Sequence, residues 1–136
     1  MREMTVDATV EQIHAVTQFV NEQLEQLDCP VKVRYQVDVA IDELFGNIAR
    51  YAYRPGVGPA TVRVDVEEDP LSVIITFIDH GMPYDPVSAD FVDTTHLTAQ
   101  ERPIGGLGVF MVKKTMDNIS YSYHDGQNIL TIRKEI

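Results

Sequence analysis

The chain has 136 residues, a formal net charge of −10 and a single cysteine, Cys29, with 44% of its residues apolar. That length suits one domain over 1–136 with a core of its own; no internal disulfide can form, and a reducing cytoplasm is the expected compartment. The four histidines lack zinc-ligand spacing, no run of about eighteen apolar residues is present to cross a membrane, and an acidic chain without a basic stripe argues against direct nucleic-acid or anionic-membrane partners.

Val10, Ile13, Thr17, Val20, Leu24 and Leu27 recur at helical spacing, so residues 9–27 read as an amphipathic helix, with Thr9 and Gln12 at capping-box spacing and Cys29-Pro30 breaking it. A second helix is expected over 32–53, its core face carrying Val37, Ile41, Leu44, Ile48 and Tyr51, and Pro55-Gly56-Val57-Gly58-Pro59 ends it. Val62, Val64 and Val66 alternate with Arg63, Asp65 and Glu67, which is the pattern of a strand with one wet face. Glu68-Asp69-Pro70 is a turn, and the run from 73 to 78 is apolar on both faces, hence a central strand. From 85 to 103 periodicity disappears over a stretch longer than compact domains usually leave unstructured, and it reads as a lid. A glycine-started helix follows, and then segments 119–124 and 127–134 flank Asp125-Gly126, a two-residue hairpin signal.

Three groups of residues carry chemistry. On the second helix Glu43, Asn47 and Arg50 are four and three residues apart and project from one face beside the apolar stripe, which offers a general base and a neutral oxygen ligand for Mg²⁺. At the end of the central strand, Asp79-His80-Gly81 places a carboxylate acceptor beside backbone with room for a flat ligand; taken singly, the same triplet also closes many strands as an ordinary turn. The third group is Ile104-Gly105-Gly106-Leu107-Gly108, which runs into an amphipathic segment and so opens a helix with bare amides, a phosphate-binding device. It is neither a Walker A loop, since no Gly-Lys-Ser/Thr follows, nor a dinucleotide fingerprint, since Met111 stands where the third spaced glycine belongs.

In this order the three groups resemble the N, G1 and G2 boxes of the GHKL (Bergerat-fold, histidine kinase-like) ATP-binding superfamily, and the stand-alone size is similar to its anti-sigma-factor serine/threonine kinase branch. The resemblance covers nearly the whole chain and implies an α+β, two-layer sandwich with helices on one face of a mixed, largely antiparallel sheet. It implies Glu43 as catalytic base, Asn47 as the Mg²⁺ ligand, Asp79 and Gly81 at the adenine, and Gly105, Gly106, Leu107 and Gly108 around the phosphates of ATP, with Thr131 as an adenine-side hydroxyl. The implied partners are a sigma factor and an anti-anti-sigma antagonist that accepts phosphate, with homodimerisation implied by the likeness alone. The chain departs from that branch at Arg50-Tyr51-Ala52-Tyr53, where His-Ala-Tyr often stands, and at Met82-Pro83, where many members have another glycine. Arg102 is a candidate γ-phosphate contact within the lid. The competing function is a nucleotide-gated binding module that holds ATP and transfers nothing.

Overall fold

Two hydrophobic periods, 3.6 in the helices and 2 in the strands, converge on one interior in the computed structural model. It describes residues 1–87 and 106–136. Five strands form one sheet, β1 (Arg2–Asp7), β2 (Pro59–Glu67), β3 (Ser72–Asp79), β4 (Asn118–His124) and β5 (Gln127–Glu135), in the order β1-β2-β3-β5-β4. Every pairing is antiparallel, so the parallel component expected of a mixed sheet is absent among the described strands. Three helices, α1 (Ile13–Glu25), α2 (Val31–Asn47) and α3 (Gly106–Thr115), lie over one face of it.

Register parity decides what faces the helices. Val62 and Val64 of β2, Val73, Ile75 and Phe77 of β3, and Leu130 and Ile132 of β5 are buried, and they meet Val16, Val20 and Leu24 of α1, Val37, Ile41, Leu44 and Phe45 of α2, and Val112 of α3. Each fully buried side chain of this kind contributes about 1.5–3 kcal/mol, enough to offset an open polar group at the edge of the same layer. The opposite face of the sheet carries polar pairs instead: Thr5 with Thr61, Arg63 with Glu3, and Thr76 with Thr131.

Several expectations need adjustment. Residues 2–7 form an edge strand whose only inward signals are Met4 and Val6, too short an alternation to stand out. The first helix begins with a 3-10 turn at Val10–Gln12, Val10 is 47% exposed, and Val16 takes its place in the core. Thr9 makes no side-chain cap; its carbonyl accepts the Gln12 N–H instead, at 3.0 Å. The hairpin is as the dipeptide dictates, with Asp125 and Gly126 both at positive φ, 52° and 76°. Among the described residues no helix is long and apolar enough to cross a membrane.

Candidate functional site

The site is built where the C-terminal end of α2 meets the C-terminal end of β3. After Asn47 the helix widens into a π turn over Ile48–Ala52, a distortion frequent at functional sites. Tyr53 then ties this turn to the sheet: its hydroxyl donates to the Pro59 carbonyl at 2.5 Å and accepts the His80 N–H at 2.7 Å. Met82 N–H donates to the Ala52 carbonyl at 2.9 Å, and a Cβ at Gly81 would fall inside the Ala52 backbone, so only glycine permits this approach.

Between these elements lies a largely apolar pocket of about 180 Å³. Leu44, Ile48, Tyr51, Pro83, Tyr84, Tyr121 and Leu130 form its walls, and Asn47, Asp79 and Asn128 bring the polar atoms. Asp79 is 4% exposed. Its Oδ1 accepts from the Gly81 N–H and from Asn128 Nδ2, both at 2.9 Å. Among the described residues no buried side-chain oxygen lacks a partner, yet Oδ2 has none, so Oδ2 keeps access to the pocket. An acceptor at the end of an apolar slot fits a flat heterocycle carrying an amino group.

Glu43 sits one helical turn before Asn47, roughly 6 Å along the axis, outside the pocket lining. A Cβ at Gly108 would fall on its carboxylate, so the first turn of α3 and Glu43 are in direct contact because residue 108 has no side chain. Burial pushes the Glu43 carboxyl up and the neighbouring Asp42 adds to this, while Arg50 pulls the other way. Arg50 reaches back along the helix over Gly46, where an added Cβ would come within 2.8 Å of Nη1. The polar groups thus follow one another: Asp79 and Asn47 in the pocket lining, then Glu43 against the N-terminal turn of a ten-residue helix, an end whose amides favour anions.

Gly106 and Leu107 are the first residues of α3, while Gly105 and Arg102 lie outside the described residues. Of the segment expected as a lid, 85–87 are described: Val87 N–H donates to Asp85 Oδ1 at 2.8 Å, and Lys113 Nζ donates to the Val87 carbonyl at 2.5 Å. Residues 88–103 lie outside the described residues. Thr131 is misplaced by the sequence reading. It pairs with Thr76 on the sheet face opposite the pocket, and Asn128 is the β5 residue opposite Asp79. Parity was the available signal: counting from the Asp125-Gly126 turn puts Asn128, Leu130 and Ile132 on the helix side and Thr131 on the other. No sequence signal marks Tyr53, because its value depends on the distant Pro59 and His80.

Fold and site together define a helix-on-sheet α+β domain with an apolar slot read by one open carboxylate and flanked by a glycine-opened helix. A family profile described as histidine kinase-like ATPase domain matches residues 6–134. The chain belongs to that family. It is 29% identical over 101 residues to the serine/threonine-protein kinase BtrW of Bordetella bronchiseptica, which covers 74% of this chain and 70% of that protein. It is 28% identical over 100 residues to the serine-protein kinase RsbW of Bacillus cereus, covering 68% of this chain. The match spans only 58% of the Bacillus protein's length. The Acinetobacter baumannii histidine kinase AdeS superposes on 99% of this chain and 68% of its own, at 17% identity and a TM-score of 0.49.

Proposed function

We propose that residues 1–136 form one ATP-binding domain that acts as an anti-sigma factor and serine/threonine kinase, binding a sigma factor and phosphorylating an anti-anti-sigma antagonist in the cytoplasm. The kinase names of the relatives support the reaction class, and the succession from Asp79 through Asn47 to Glu43 and Gly108 supports its layout. The observation that carries the reading is the contact of Glu43 with the start of α3, which sets a carboxylate of raised pKa beside amides suited to phosphate.

The donor set fits Mg²⁺: Asn47 has a carboxamide oxygen with no hydrogen bond among the described residues, and Mg²⁺ takes one or two protein oxygens with phosphate and water. Asn47 would hold the ion, which would supply positive charge against the phosphates. Asp79 Oδ2 accepts the base amino group, and the pocket walls exclude water from the ring. Glu43 takes the proton of the attacking serine hydroxyl as the new O–P bond forms and the bond to the β-phosphate oxygen breaks, leaving ADP. Amides at the start of α3 stabilise the charge that moves onto the leaving oxygen.

A Glu43→Gln variant tests this. Binding of ATP, followed by calorimetry, should stay within a few-fold of wild type, while transfer of labelled phosphate to a partner protein retained by the wild-type chain with Mg²⁺ and ATP should fall about 10²–10⁴-fold. Wild-type transfer by the variant removes Glu43 from the mechanism, and no transfer by wild type favours the nucleotide-gated binding module.

A further inference from the structure

Asn128 is a buried carboxamide, 6% exposed, and both of its ends are committed. Nδ2 donates to Asp79 Oδ1 and to the Met82 carbonyl, each at 2.9 Å, with the Gly81 carbonyl at 3.4 Å. Oδ1 accepts the Tyr84 N–H at 3.2 Å and is hydrogen-bonded to the Tyr121 hydroxyl. The orientation of the amide follows from its neighbours: one end faces three acceptors and must be NH₂, and the other faces an N–H and must be oxygen. Burial holds the Tyr121 phenol above its ordinary pKa, so it carries its proton and donates.

These bonds have a consequence for Asp79. Its Oδ1 is filled from within the protein by Asn128 and the Gly81 amide, which fixes the plane of the carboxylate and leaves Oδ2 as the one oxygen offered to the pocket. Asn128 also holds the 82–84 rim of the same pocket through Met82 and Tyr84. Its own donors and acceptor are spent, so it has nothing left to offer a ligand. We propose that Asn128, locked by Tyr121, is the positioning residue that sets base selectivity in this pocket, by presenting Asp79 as a single fixed acceptor that takes a purine bearing a 6-amino group and refuses one bearing a 6-oxo group.

The proposal rests on the nucleotide reading above and deepens it. A 6-amino group donates to Oδ2, whereas a 6-oxo group sets oxygen against oxygen in a desolvated slot, where an unmade hydrogen bond is costly. Freed of Asn128, the carboxylate turns, and the distinction weakens.

Calorimetry with MgADP and MgIDP on wild type, Asn128→Leu and Tyr121→Phe tests it, with thermal melting of each variant alongside. The expected results are a wild-type preference for ADP, a loss of about tenfold or more in ADP affinity for Asn128→Leu with IDP changed less than about threefold, and a two- to fivefold loss, specific to ADP, for Tyr121→Phe. Should Asn128→Leu fail to fold, the ADP/IDP ratio of Tyr121→Phe decides the matter. Equal losses for both nucleotides in a folded variant overturn the positioning role, as does a wild type that binds ADP and IDP alike. A wild type that binds neither overturns the nucleotide reading itself and takes this proposal with it.

Discussion

Helix α2 carries two polar clusters with similar residues and opposite fates. Near its start, Asn21 Nδ2 of α1 donates to Asp38 Oδ1 at 2.7 Å and to the Thr17 carbonyl at 2.9 Å, Arg34 Nε donates to Asn21 Oδ1 at 3.1 Å, and Arg34 meets Glu25 at 3.5 Å. Near its end, the side chains of Glu43 and Asn47 have no hydrogen bond among the described residues, and Asp79 keeps one oxygen open. The first cluster satisfies itself and joins two helices. The second is left incomplete at the mouth of a pocket among the described residues, at a cost in stability that the apolar layer offsets.

Breaking the second cluster should have the largest effects. Gly108→Ala drives a methyl group into the Glu43 carboxylate; about 1–3 kcal/mol of stability should be lost in urea titration, and phosphoryl transfer should fall about a hundredfold or more as α3 is pushed away. Stability and transfer both at wild-type levels would mean that Glu43 and α3 do not meet. The first cluster should be far more tolerant: Arg34→Ala removes a half-exposed tie and should cost under about 1 kcal/mol, with ADP affinity unchanged. A large loss of nucleotide affinity there would erase the distinction between the two clusters.

The smallest effect sharpens the contrast through pH. Because the folded pKa of Glu43 lies above the ordinary 4.5, ionised Glu43 opposes folding; its favourable contribution is present below pH 4.5 and is lost as pH rises through the raised value. Glu43→Gln, neutral throughout, should therefore match wild type at acidic pH and melt higher by on the order of 1–2 °C near neutrality, a modest gain because solvent screens the group. A variant that melts lower than wild type at neutral pH would show that the carboxylate is stabilised in place.

Most of the fold was legible because its signals are local. The alternation at Val62 and Val64, the apolar run in β3, the Asp125-Gly126 turn and the stripe on α2 each dictate an element without reference to the rest of the chain. Glu43, Asn47 and Asp79 stand out for another reason: they are polar or charged residues placed beside or within apolar patterns, and the fold holds them partly or wholly out of water. What the sequence hid depends on distance. Asn128 looks like one more polar residue after a turn until register sets it opposite Asp79, and Thr131 looks suitable until parity turns it to the far face. Strand β1 has two inward residues and owes its place to pairing with β2, from Arg2 against Val64 to Asp7 against Pro59.

The central claim is that these groups converge on one adenine nucleotide, and calorimetry of the wild-type chain beside Asp79→Asn, with ATP at millimolar Mg²⁺, tests it most directly. The account predicts a single saturable site on wild type, weakened about tenfold or more when the Asp79 carboxylate becomes an amide. Absence of saturable binding to wild type, or equal affinity in the two proteins, would contradict it.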